Sequence, residues 1–199
     1  MSKSKFSRRS IGHLLGFAMA LLVPLSCWSN ELYFSGHGMH GMKNRWYSEH
    51  LSAMKEPILA RSGGDGSYFA FRVLYLPTFG RPRAVRIERR GDLVDFRAVM
   101  LSGHGGYEPG EIQKETRKTL SLEEFKEIIQ DIENSGFWSL DLNDDVIGFD
   151  GSQLVIEAIR GDQHIVFDRW TPEHDTEGRN LAGLVKFYQR LFRKCGLQN

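Results

Sequence analysis

Cysteine is close to absent from this chain. Its 199 residues include only Cys27 and Cys195, so no metal site can be assembled from thiolates. An excess of charge of one sign is missing as well. With 26 Lys and Arg against 25 Asp and Glu, the chain has no electrostatic footprint for nucleic acid or for an anionic membrane surface. The apolar stretch from Ile11 to Leu25 falls short of the ~20 residues that a bilayer-spanning helix needs. Catalytic motifs of high specificity are lacking too. There is no G-x-S-x-G nucleophile elbow. The acidic stretch from Asp141 fails as an EF-hand, because Val146 and Ser152 stand where that calcium loop needs Gly and Glu.

What is present first is an address. Lys3, Lys5, Arg8 and Arg9 precede the apolar stretch, and small residues follow it. A basic head stays in the cytoplasm while a short apolar helix enters the translocon, and small side chains fit a signal peptidase cleft. Residues 1–29 therefore predict a bacterial export signal. Cys27 and Ser29 occupy the two positions that need small residues for cleavage after Ser29, which would leave Asn30 as the mature N-terminus. The competing reading is cleavage before Cys27 and a lipid anchor on that cysteine, although Pro24-Leu25-Ser26 is a poor lipobox. Ser7, Arg8, Arg9 and Ile11 match part of a twin-arginine motif, from which Gly12 and His13 depart. Removing the four basic residues of the signal leaves 22 Lys and Arg against 25 Asp and Glu, a net charge of −3. Cys195 then has no partner for an intramolecular disulfide. The expected location is the periplasm or another exported compartment, or the membrane through a lipid on Cys27.

The remaining length suits one core. Residues 30–66 read as a flexible lead-in, with Gly and His in Ser35 to Met42, breakers from Ser62 to Gly66, and a possible short helix from Asn44 to Lys55. Residues 67–199 read as a single α+β domain. A four-strand meander is expected at Tyr68 to Leu76, Ala84 to Arg89, Leu93 to Leu101 and Ile112 to Thr119, the last an edge strand because it is mostly charged or Thr on both faces. Ser121 and Glu124 form a capping box that opens a helix carrying Leu122, Phe125, Ile128, Ile129 and Ile132 on one stripe, and Gly136 is placed to stop it. A hairpin follows, Leu154 to Ile159 and Ile165 to Trp170 around Gly161-Asp162. Leu181, Leu184, Val185, Tyr188, Leu191 and Phe192 mark a C-terminal helix. The expected architecture is an antiparallel sheet with helices packed on one face.

Four constellations could carry chemistry. His37 and His40, spaced H-x-x-H, together with His104 from a second Ser-Gly-His-Gly tetrapeptide, could supply three imidazoles to a metal; the alternative is a flexible Gly-rich tract. Asp141, Asp144 and Asp145, with Asn143 and Asp150, offer hard oxygens for calcium or, equally, Asx turns in a solvated loop. In Asp168 to Asp175, Asp168 or Asp175 could orient His174 as a general base, and Arg169, Trp170 and His174 could contact a ligand. The structural alternative has Trp170 plugging the sheet edge and Arg169 paired with Asp150 or Glu157. Finally, Arg81, Arg83, Arg86, Arg89 and Arg90 concentrate around the second strand and could form a patch for an acidic partner; the alternative, since alternation divides them between two faces, is a solvated, salt-bridged surface.

Gly136-Phe137-Trp138-Ser139-Leu140, Asp150-Gly151-Ser152, Glu157 and Asp168-Arg169-Trp170-Thr171-Pro172 resemble a pattern in exported bacterial proteins of unknown function, over roughly residues 67–195. The resemblance implies one structural unit and no activity. The sequence reading is thus an exported, non-enzymatic domain that binds a protein or envelope component through strand-end loops and an aromatic rim. The alternative is a hydrolase using His174 or a histidine-bound metal. No cofactor and no nucleic-acid partner are expected, and membrane contact is expected only through the signal or a lipid on Cys27.

Overall fold

A computed structural model describes residues 32–37, 39, 41–62, 66–142, 146 and 148–198. Six strands form one antiparallel sheet: β1 (Phe69–Pro77), β2 (Arg83–Arg90), β3 (Leu93–Leu101), β4 (Ile112–Thr119), β5 (Ser152–Arg160) and β6 (Gln163–Trp170), in the order β4-β3-β2-β1-β5-β6. The helices are α1 (Gly41–Ala53), α2 (Leu122–Asn134) and α3 (Ala182–Lys194). The α+β class follows from the sequence as read.

Local chemistry explains most boundaries. The Ser121 hydroxyl accepts from the Glu124 amide while the Glu124 carboxylate accepts from the Ser121 amide, so two orphan donors of α2 are satisfied. Gly136 caps that helix at φ +77°, and Gly91 and Gly161 turn the β2–β3 and β5–β6 hairpins at φ +58° and +59°, a region that a Cβ disfavours. β4 lies at the edge with nearly every side chain exposed, and its charges discourage pairing with another strand.

β1 is buried on both faces because both are covered. Phe69, Phe71, Val73 and Tyr75 join α2 and α3 in the larger core, where Phe69 meets Phe125 edge-on at 5.4 Å. Leu74 and Leu76 point the other way, into a second core with Tyr33, Phe34, Tyr47, Leu51 and Met54. Helices therefore lie on both faces of the sheet rather than one, and residues expected as a flexible lead-in form a packed layer. The buried face of α1 is half polar: Asn44 Oδ1 accepts from the Phe34 amide (3.3 Å) and the Ser48 hydroxyl (3.2 Å), and Ser48 Oγ accepts from the Tyr33 amide (3.0 Å). These bonds tie the turn at Tyr33–Gly36 to α1.

Beneath this layer runs a row of arginines. The strand register sets Arg117, Arg97, Arg86 and Arg72 opposite one another across β4, β3, β2 and β1, with Glu157 next on β5. Like charges directly opposite repel. Glu56, delivered just after α1, answers them by accepting from Arg86 Nε at 2.9 Å, from Arg97 Nη1, and from Arg72 Nη1 at 3.5 Å. Glu157 pairs with Arg72, Glu88 with Arg86 and Arg90, and Glu115 with Arg97 and Arg117. Arg72, Arg97, Glu56, Glu88 and Glu157 are all buried. The arginines of β2 do divide between two faces, but Arg86 lies in a covered ionic layer rather than on a solvated surface.

Candidate functional site

The end of β6 and the loop after it serve as scaffolding. Asp168 Oδ2 accepts from Lys43 Nζ (2.9 Å), the Tyr47 hydroxyl (2.9 Å) and Gln153 Nε2 (3.2 Å), which anchors α1 to the sheet. Burial first, and Asp168 second, push the Tyr47 phenol well above its ordinary pKa. Arg169 is buried on the opposite face; it donates to the carbonyls of Asp168 (2.7 Å), Leu142 (3.3 Å) and Asp141, and its guanidinium lies 3.9 Å from the Phe167 ring centroid. Trp170 closes the sheet edge against Gly148 and Gly151, where an added Cβ on Gly148 would meet the indole. His174 is exposed, and Asp175 accepts from the Gly178 amide (3.2 Å) in an Asx turn at φ +49°. Among the described residues no hydrogen bond joins His174 to Asp168 or Asp175. Its neighbour Glu173 is the residue that organises a cluster. Glu173 Oε1 accepts from the Tyr75 hydroxyl at 2.7 Å and from the Tyr188 hydroxyl, and Oε2 accepts from Ser152 Oγ at 3.2 Å.

The metal candidates that the structure describes, His37, His104 and Asp141, form no ligand group with one another. His104 sits in the β3–β4 loop with its ring exposed. His37 instead meets His164 of β6, while His40, Asn143, Asp144 and Asp145 lie outside the described residues. Among the described residues no group of three or more His, Cys, Asp and Glu is placed to hold a metal ion.

The His37 contact is a relay of another kind. His164 Nε2 lies 3.0 Å from Glu157 Oε1, so this nitrogen donates, and His164 Nδ1 then accepts from His37 Nε2 at 2.9 Å. Partial burial and the neighbouring His164 hold His37 below the usual imidazole pKa, with Glu157 opposing. The unfolded chain therefore takes up a proton near pH 6.5 that the folded chain refuses until lower pH, so stability falls as pH drops through this window. Urea titrations at pH 7.5 and 5.5 should show this loss. His37→Gln should flatten it, by less than about 1 kcal/mol because the ring is only partly buried. Glu157 adds a second loss at lower pH. Burial raises its pKa, but Arg72 and His164 together bring it below the ordinary carboxylate value, and the stability so gained disappears as pH falls below about 4.3 through that lowered pKa.

One end of the sheet carries a different kind of surface. The loops after β1, after β3, before β5 and after β6 all lie there and are bonded to one another. The Gly105 amide donates to the carbonyls of Pro77 (3.0 Å) and Gly80 (2.9 Å), that of Gly106 to Thr78 (3.2 Å), that of Thr78 to Gly151 (2.9 Å) and that of Thr171 to Ser152 (2.6 Å). From α1, Trp46 Nε1 donates to the Gly105 carbonyl (2.8 Å). The glycines make this approach possible, since a Cβ on Gly105 would come within 2.5 Å of the Leu76 backbone. On the resulting rim Phe79 is 66% and Tyr107 59% exposed, their rings 6.1 Å apart, and Phe149 is fully exposed. Burial of hydrophobic side chains gives no reason for aromatics here.

Sequence reasoning named an aromatic rim without naming these residues. The signal was available: each aromatic stands inside a turn, in Thr78-Phe79-Gly80-Arg81-Pro82, Gly106-Tyr107-Glu108-Pro109-Gly110 and Gly148-Phe149-Asp150-Gly151, where no strand or helix period can bury it. The chain matches no model of a known protein family and no curated protein.

Proposed function

We propose that this chain is an exported, non-enzymatic domain of the bacterial envelope or periplasm that holds a protein partner on its strand-end rim. The observation that carries the reading is the set of exposed aromatics, Phe79, Tyr107 and Phe149, on loops that are hydrogen-bonded to one another. Such a surface is already ordered, so a partner that covers it loses little conformational entropy, and large aromatic side chains supply most of the energy where water is excluded. Export is the reading of residues 1–29, from their basic head, apolar stretch and small residues.

The test is photo-crosslinking in intact cells, with the crosslinker at position 79 or 107 and, as control, at position 117 on the exposed edge strand. Partner adducts are expected from the rim positions and in the periplasmic or membrane fraction. Changing Phe79, Tyr107 and Phe149 together to Ser should weaken binding of the identified partner at least tenfold while leaving stability within about 0.5 kcal/mol, since nothing in the core is touched. Adducts no more frequent at the rim than at position 117 would sink the proposal.

A further inference from the structure

At the opposite end of the sheet, in the layer beneath α2, lies a cleft of about 240 Å³. Its floor is apolar, formed by Phe69, Phe125, Ile129 and Trp138, and its mouth carries Arg89 and Arg160. The strand register places this mouth: Phe69 is directly opposite Arg89 on β2 and directly opposite Arg160 on β5. Two guanidinium groups therefore flank one phenyl ring, their backbones roughly 10 Å apart across two strand spacings. Arg89 lies 5.3 Å from the Phe125 centroid and Arg160 lies 4.0 Å from that of Trp138, so both lean on the aromatic walls.

Among the described residues only one of these charges is answered by a carboxylate. Arg160 pairs with Glu133 at 3.0 Å, whereas Arg89 donates through Nε to the Gly91 carbonyl (2.7 Å) and has no carboxylate partner among the described residues. Among the described residues the mouth thus holds two guanidinium groups against the single carboxylate of Glu133, above a greasy floor. Pockets for drug-sized ligands run to about 300–1,000 Å³, so a guest here is small, on the order of ten non-hydrogen atoms.

We infer that this cleft binds a small amphiphilic monoanion, a carboxylate on a short aliphatic or aromatic body, with the carboxylate on Arg89 and the body against Phe69, Phe125, Ile129 and Trp138. A guanidinium presents parallel N–H donors that suit a carboxylate, and stacking on an aromatic ring holds it in place. The site lies at the other end of the strands from the aromatic rim and does not depend on it.

Octanoate, with octan-1-ol as its uncharged counterpart, is the probe, titrated calorimetrically into the mature protein. Saturable binding of octanoate is expected, at least tenfold tighter than octanol and weakened by salt. Arg89→Gln should bring octanoate down to the affinity of octanol with only a small fall in melting temperature, because Arg89 gives up a stacking contact on Phe125 and one bond to the Gly91 carbonyl and no buried ion pair. Ile129→Trp, which fills the cleft, should abolish both. Absence of saturable binding, equal affinity for acid and alcohol, or octanoate binding that survives Arg89→Gln unchanged would overturn the inference. Should Ile129→Trp fail to fold, the Arg89 comparison decides alone.

Discussion

Replacing Glu56 by alanine is expected to destabilise the domain by about 3–5 kcal/mol, the cost of leaving buried charges without their partner. Glu56 accepts from three arginines on three adjacent strands, and its own carboxylate is 1% exposed. Without it, Arg72, Arg86 and Arg97 face one another in register, in a layer that the chain after α1 seals from water. Arg72 would retain Glu157 and the Pro57 carbonyl, and Arg97 would retain Glu115 and the Met54 carbonyl. None of these sits between the guanidinium groups as Glu56 does. For a domain of this size the loss corresponds to a fall in melting temperature of roughly 10 °C. Thermal and urea unfolding measure it, and a change under about 1 kcal/mol would show that water reaches the arginine row. The pair Glu56→Met with Arg97→Met removes one charge of each sign and should cost clearly less than the two single changes added together.

This ionic layer also marks where the sequence stops being legible. The sheet, α2 and α3 follow from local pattern: Val85 and Ile87 alternate with Arg86 and Glu88, Gly161-Asp162 turns a hairpin, and Phe125 and Ile132 share a helical stripe. The same alternation misleads about the second face. Arg86 and Glu88 read as the wet side of a half-buried strand, and what covers them is Glu56, 30 residues before Arg86 in the chain. α1 reads only as a possible short helix, Asn44 to Lys55, in a flexible lead-in, for a related reason. Asn44, Ser48 and His50 are buried beside Tyr47 and Leu51, so its inward face carries no clean apolar period. His37 and His164 meet across 127 residues, a contact that no spacing rule anticipates. In the loop after β6, attention falls on His174 and Asp175, the familiar catalytic types, whereas the structure gives the organising role to Glu173.

Glu173→Ala should accordingly cost about 2–4 kcal/mol, because the phenolic hydroxyls of Tyr75 and Tyr188 would lose the acceptor they share and each is held in a largely buried site. The tyrosines themselves report on it. Burial, with Glu173 adding to it and Ser152 opposing it, pushes the Tyr75 phenol up to about 12, and burial together with Glu173 raises that of Tyr188 further. A raised phenol pKa contributes stability that is complete below about pH 10 and is lost as pH rises through the folded-state value. The wild-type domain should therefore weaken steeply above pH 10, and spectrophotometric titration of Glu173→Ala should find Tyr75 ionising at lower pH. Wild-type melting together with an unchanged tyrosine titration would mean that the carboxylate does not hold these hydroxyls. The consequences extend to the rim. Glu173 Oε2 accepts from Ser152 Oγ at the start of β5, and the preceding residue, Gly151, gives its carbonyl to Thr78 beside Phe79. Removing the carboxylate takes one of the bonds that hold the end of the loop carrying Phe149. A variant that remains folded at 25 °C should thus bind the partner we propose for the rim more weakly, through higher mobility of Phe149 rather than through any lost contact.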